Sequence, residues 1–248
     1  MVVKRYLWLC TVLFLTLAGC RRSPRFVNHS QPELDVDFSI FENIGCPPDQ
    51  YGFRHCETGS PLADLGCDEI VEPPNLLGAL DPSYPIALCL VIPYLNTEEP
   101  GAENARMLAE GKYFFNIGGV VPTYVRYVIF RDDQFELVET EDEFRSIFAP
   151  VTTPEEALGY ALAVRDLSAY YNLEPDSKYQ YFVDEIEDTY VEETAGGYLA
   201  HLFFYERFGC GPHLTYDVDV DVTTQGYVKE ISREPVYKDP SEDNSCAD

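Results

Sequence analysis

"HLTYDVDVDVT", residues 213–223, decides the fold. Leu214, Tyr216, Val218, Val220 and Val222 alternate there with Thr215, Asp217, Asp219, Asp221 and Thr223. Successive side chains of a strand point to opposite faces, so a period of two sets an apolar row against a core and an acidic row toward water. A strand with one dry face needs neighbours, and the sequence supplies them on either side. "DTYVEET" (188–194), "GYLAHLFFYERF" (197–208) and "YVKEISREPVY" (227–237) are β-rich runs. They are parted by "AGG", "GCGP" and "TQG", the spacing of an antiparallel meander.

Such a sheet needs a cover for its dry face. "TTPEEALGYALAVRDLSAYY" (152–171) predicts a helix, with Thr153 as N-cap, Pro154 in the first turn and Glu156 completing a capping box. Its Ala157, Leu158, Ala161, Leu162 and Leu167 fall mostly on one stripe. "TEDEF" (140–144) opens a shorter helix on Thr140, with Glu143 three residues on. "KYFFNIGGVVPTYVRYVIF" (112–130) and "QFELVET" (134–140) are further β-rich runs, joined by "RDDQ" as a hairpin turn. The predicted fold class is α+β: an antiparallel meander packed against one or two helices, spanning 101–248. No internal repeat is present. Residues 37–100, with "CPPDQYGFRHC", "SPLADLGCDEIVEPPN" and "LDPSYPIALCL", are rich in Cys, Pro and Gly and show little periodicity. They are expected as a disulfide-rich loop region N-terminal to that domain, since loops this long rarely hold shape unaided.

The chain begins with the cationic pair Lys4 and Arg5, followed by an apolar run from Tyr6 to Leu17, the pattern of a secretory signal. Twelve helical residues reach roughly 18 Å, too short for a hydrocarbon core of roughly 30 Å. Leu17, Ala18, Gly19 and Cys20 resemble the lipobox of bacterial lipoprotein precursors. That resemblance covers only the first twenty residues. It implies a signal peptide over 1–19, a diacylglyceryl group on the Cys20 thiol, cleavage just before it, and acylation of the new amino terminus, palmitate included. Each buried acyl CH₂ contributes about 0.8 kcal/mol, so two or three chains make a lasting anchor. The resemblance further implies an exported protein held on an envelope membrane, the outer membrane in a Gram-negative cell, because Arg21 stands where an Asp favours inner-membrane retention. An ordinary secretory signal with an "LAG" cleavage site is the alternative. Residues 20–36, polar with two prolines, then read as a flexible tether, able to hold the domain about 50 Å from the lipid.

Cleavage before Cys20 leaves 229 of 248 residues, enough for a real core, and an ordinary apolar fraction argues against disorder. Losing Lys4 and Arg5 takes the formal charge from −26 to −28, a surface that repels nucleic acid and attracts cations and basic partners. Arg21, Arg22 and Arg25 are the one basic cluster, beside the lipid, where they suit either anionic headgroups or a solvated tether. Cys10 leaves with the signal and Cys20 carries lipid. That leaves Cys46, Cys56, Cys67, Cys89, Cys210 and Cys246, an even number in an exported chain. Fifteen connectivities are possible, and clustering suggests two bridges among the first four and one between Cys210 and Cys246. A zinc site is the rival, disfavoured by the lack of any CxxC pair.

Candidate chemistry is thin. Asp217, Asp219 and Asp221 form a row with carboxylates about 7 Å apart, a repulsion Ca²⁺ would relieve, although a flat row seldom wraps one ion and a solvated row that guards a strand against edge pairing is the preferred reading. "DPSEDNSCAD" (239–248) opens like a calcium loop with Asp239, Ser241 and Asp243 but lacks the Gly and distal Glu. Cys210 and His213, across a Gly-Pro turn, invite a nucleophile–base reading against a disulfide-held turn. His29, His55 and His201 have no partners at telling spacings. There is no nucleophile elbow, phosphate loop or HExxH. Eighteen tyrosines supply rigid amphipathic area that either packs strands or builds a binding face. Three functions compete: a non-catalytic envelope lipoprotein binding a partner protein or envelope component, a secreted hydrolase using acidic residues or Cys210 with His213, and a calcium-dependent adhesion or sensing module.

Overall fold

The computed structural model describes residues 23–50, 52–93, 100–119 and 122–247. The signal peptide expected over 1–19 and the expected lipidation site Cys20 lie outside them. The strands of the first half are β1 (Arg25–Val27), β2 (Arg54–His55), β3 (Glu69–Val71), β4 (Ile86–Val91), β5 (Phe115–Ile117), β6 (Thr123–Arg131) and β7 (Gln134–Val138). Those of the second half are β8 (Gln180–Tyr181), β9 (Glu185–Glu187), β10 (Tyr190–Thr194), β11 (Gly197–Tyr205), β12 (Gly209–Cys210), β13 (Leu214–Thr223), β14 (Val228–Lys238) and β15 (Cys246–Ala247). The α-helices are α1 (Pro61–Asp64), α2 (Pro100–Glu110), α3 (Glu141–Phe148) and α4 (Pro154–Val164).

The fold is α+β, as the alternation of residues 213–223 predicts. β13 lies at the centre of an antiparallel sheet ordered β10-β11-β13-β14-β8. Its Val218, Val220 and Val222 are fully buried beside Leu202, Ala200 and Tyr198 of β11. A second antiparallel sheet is ordered β2-β3-β4-β6-β5 with β7 on β6, and its Ile86, Tyr127, Ile129 and Val138 share one core with the central sheet. The β6–β7 turn is the predicted one, with Asp132 and Asp133 at φ 51° and 59°, as a two-residue hairpin of the right twist requires.

Between the sheets runs α4. Glu156 donates its backbone N–H to the Thr153 hydroxyl (3.1 Å), but the Glu156 carboxylate reaches back to the Thr152 N–H (2.6 Å) rather than to the cap residue itself. The expected single stripe is corrected: every residue from Ala157 to Val164 is buried. A helix apolar on all sides is a fully covered one, and here the 3-10 turn Asn75–Ala79 and the residues of both sheets close around it. The Tyr127 hydroxyl of β6 reaches across to the Ala163 carbonyl (2.8 Å), joining the sheet to the helix.

The expected disulfide-rich region N-terminal to the domain, residues 37–100, is joined to it through one sheet, because β4 pairs along its length with β6. Pairing to a distant strand gives order to a segment whose own sequence shows no period. The disulfides Cys46–Cys56 and Cys67–Cys89 staple the remainder into an outer layer over that sheet, with Phe41, Leu62 and Ile70 beneath them. The tether expected over 20–36 is docked over its described part. β1 pairs in parallel with β9, Arg25 Nε binds Glu185 (2.7 Å), and Val36 is buried in the main core. The fit is close: a Cβ on Gly78 would lie 2.1 Å from the Asp35 carbonyl oxygen.

Docking of this ribbon changes the far face of the central sheet. Phe26 of β1 packs on a cluster of Ile186, Phe203 and Val236, with Tyr170, Tyr181 and Tyr237 around it. The face predicted to be wet is therefore covered at one end, and Thr215 is buried there.

Candidate functional site

The ends of three strands meet at that covered end. Tyr205 at the close of β11 pairs with Thr215 near the start of β13, which pairs in turn with Tyr237 near the end of β14. Beyond β14 the chain forms a 3-10 turn, Pro240–Glu242, capped by Asp239, whose carboxylate accepts from the Ser241 N–H (2.9 Å) and hydroxyl (2.6 Å). β15 then returns to pair with β12, and a disulfide joins the facing Cys210 and Cys246. The turn is tight against β12: a Cβ on Gly211 would meet the Glu242 carbonyl oxygen at 2.5 Å, so only glycine admits this approach. Together these elements line a solvent-open cavity of about 220 Å³.

Its walls are the rings of Tyr170, Tyr179, Tyr205 and Tyr237. Polar groups enter from three sides: His213 and Thr215 from the floor, Asp239 and Glu242 from the C-terminal turn, and Lys178 from the loop before β8. The Tyr205 hydroxyl donates to Glu242 Oε2 (2.8 Å), and Tyr179 tilts against Tyr237 with centroids 4.6 Å apart. Burial is the main cause that pushes the Tyr205 and Tyr237 phenols up to about 12, with the Glu242 carboxylate adding to it at Tyr205. Both are neutral hydrogen-bond donors at physiological pH. Asp239 is held below the ordinary carboxylate range, chiefly by its Ser241 hydrogen bonds, and is ionised there.

His213 is only 4% exposed. Its Nδ1 lies 2.9 Å from the Glu206 carbonyl oxygen, which can only accept, so Nδ1 carries the proton. His213 also lines the cavity, and its other ring nitrogen is Nε2. Among the described residues it has no hydrogen-bond partner. A second cavity of about 360 Å³ shares Tyr170 and Tyr205 as a wall and extends to Asn116 and Ile117 of the other sheet, with Asp166 and Arg207 at its sides. Burial raises the Asp166 carboxyl, against the opposing pull of Arg207 and Arg233.

The residues singled out in the sequence fall elsewhere. All six cysteines after residue 20 are paired, in the pattern that clustering suggests: Cys46–Cys56, Cys67–Cys89 and Cys210–Cys246. Cys210 therefore has no thiol to act as a nucleophile with His213. Asp217, Asp219 and Asp221 stay in a row, and Asp219 is engaged by His201 Nδ1 (2.9 Å) and the Ser232 hydroxyl (2.9 Å). Burial raises the Asp217 carboxyl. Among the described residues no group of three or more His, Cys, Asp or Glu is arranged to hold a metal ion. Asp239 and Asp243 serve the C-terminal turn, the first as its cap and the second paired with Lys238 Nζ (2.6 Å). His55 Nδ1 meets Glu69 (2.9 Å) and His29 Nε2 meets Glu187 (2.7 Å), partners that lie too far along the chain for spacing to reveal. Leu17, Ala18, Gly19 and Cys20 lie outside the described residues.

Sequence reasoning did not single out Tyr170, Tyr179, Tyr205, Tyr237 or Glu242. The available signal was the tyrosine content and its concentration in "AYYN", "KYQY", "FFYE" and "PVYK". The chain matches no family model, no curated protein and no solved structure.

Proposed function

We propose that this chain is an exported envelope lipoprotein, cut before Cys20 and fastened there by lipid, whose α+β domain has a non-catalytic binding role at the tyrosine-walled cavity. The observation that carries this reading is the cysteine pairing. The six cysteines expected to remain after Cys20 form three disulfides, which are the mark of an oxidising compartment and leave Cys20 as the one odd thiol of the mature chain. The cavity supports the binding role: it is lined by rigid aromatic surface, and it has a few polar groups that converge from separate segments, the usual make-up of a recognition site.

The test is mass spectrometry of the amino-terminal peptide from membranes of the native host, alongside a Cys20→Ser variant. A diacylglyceryl-modified Cys20 at the new terminus is the expected result, with the variant lost from the detergent-extracted membrane fraction. An unmodified terminus upstream of Cys20, or equal membrane retention of the variant, refutes the anchoring.

A further inference from the structure

The chemistry of the cavity selects its occupant. Four tyrosines line it, and the electron-rich face of a phenol ring attracts a cation within about 6 Å. Two carboxylates, Asp239 and Glu242, stand against one cation, Lys178. The buried His213 adds a ring nitrogen, Nε2, without a partner among the described residues. The protein also shows what such a ring accepts: the ammonium of Lys178 already rests over the Tyr179 ring, 4.6 Å from its centroid, at the rim of the same cavity. Among the described residues no cation covers Tyr170, Tyr205 or Tyr237.

We infer that this cavity binds an organic ammonium group, the rings enclosing its alkyl part while Glu242 and His213 Nε2 take its N–H bonds. The inference rests on the binding role proposed above. A volume of about 220 Å³ is below that of a pocket for a drug-sized ligand and leaves room for one headgroup or one lysine-like side chain rather than for an extended chain. The strongly acidic surface would steer such a ligand inward. Lys178 acts as an internal competitor, its ammonium occupying the rim until a ligand displaces it.

Calorimetric titration of the full chain in detergent tests this, with butylammonium as the free-amine probe, a short lysine-containing peptide as the displayed-amine probe, and glucose and acetate as neutral and anionic controls. Saturable binding of butylammonium is expected, and none of the controls. Tighter binding of the peptide identifies a protein side chain as the source, and tighter binding of butylammonium identifies a small amine. Glu242→Gln is expected to weaken binding about tenfold, and Tyr179→Leu about fivefold. Lys178→Ala is expected to tighten it. Tyr179 and Lys178 sit at the rim, so unchanged melting of their variants separates loss of the site from loss of the fold. If a control saturates the cavity and loses affinity in the same variants, the binding role stands and the ammonium assignment falls. If no probe or control binds, both fall, and Cys20 lipidation is decided separately by its own measurement. Weaker binding after Lys178→Ala also overturns the assignment, because it would make that ammonium part of the ligand's contacts.

Discussion

Asp188 shows how much one buried carboxylate holds in this chain. Fully buried, it accepts hydrogen bonds from the Asn28 side chain (3.1 Å) and from the backbone N–H groups of His29 (3.2 Å), Asn172 (2.7 Å) and Leu173 (3.0 Å). It thereby ties the docked N-terminal segment to the loop that carries Tyr170, and Asn172 takes the left-handed φ of 56° that turns its N–H inward. Asp188→Ala would leave these donors without an acceptor in a closed site, at a cost of about 3 kcal/mol. The expected outcome is a lower urea midpoint together with faster amide exchange at His29 and Leu173. Tyr160 presents the opposite case. Its hydroxyl is buried with no hydrogen-bond partner among the described residues, and burial drives the phenol well above its ordinary pKa. Tyr160→Phe removes an unpaid desolvation and should raise stability by about 1 kcal/mol, read from the same denaturant midpoint. Neither residue is marked in the sequence, because each role is defined by groups brought from other segments.

At the scale of elements, the C-terminal ribbon controls the cavity. β15 pairs with β12 for only two residues, and the Cys210–Cys246 bridge closes a loop with a sequence separation of 36 that contains β13 and β14. The loop-entropy relation assigns such a bridge about 4 kcal/mol. Cys246→Ser is expected to lower stability by that order and to loosen the turn bearing Asp239 and Glu242. Ammonium binding should weaken more in this variant than in Cys56→Ser, whose bridge lies on the outer layer of the other sheet. Equal losses would mean that the C-terminal ribbon does not shape the site. Some elements were readable locally. The capping box of α3 is present in full, with the Glu143 N–H on the Thr140 hydroxyl (3.3 Å) and the Glu143 carboxylate on the Thr140 N–H (3.2 Å). α2 was missed although its signals were there, Pro100 at its first turn and Gly111 just past its end at φ 62°.

For the whole molecule, charge sets the behaviour. The chain carries 43 acidic against 17 basic residues. Burial raises the carboxyls of Glu69, Asp217 and Asp166 above their ordinary values. A raised folded-state pKa means that the folded form binds the proton more tightly than the unfolded chain. These groups therefore cost stability at neutral pH, and the cost disappears as pH falls through their raised values. Asp239 has the opposite sign, and its contribution is lost only as pH falls through its lowered value, further into acid. Thermal melting should therefore rise from pH 8 toward about pH 5 and decline below about pH 4. Added salt should raise it at pH 7 by screening the self-repulsion. A melting temperature that falls steadily from pH 8 to pH 5 would contradict this. Residues from Arg25 onward pair with the domain, so under the proposed lipidation of Cys20 about four residues, or roughly 15 Å of extended chain, would separate lipid from domain, instead of about 50 Å for a free tether.

The sequence by itself determined what local physics can encode. A period of two fixed β13 and its dry face, Thr140 and Thr153 fixed two helix starts, and the even count of cysteines after residue 20 fixed three bridges. Only the tertiary structure decided that α4 is covered on all sides, that the N-terminal segment lies on the domain, and that the acidic face of the central sheet is closed at one end. It alone brought Tyr170, Tyr205, His213, Tyr237 and Glu242 around one cavity. The physical reason is range: periods and caps act over three or four residues, whereas the cavity depends on strand register and chain return across more than seventy.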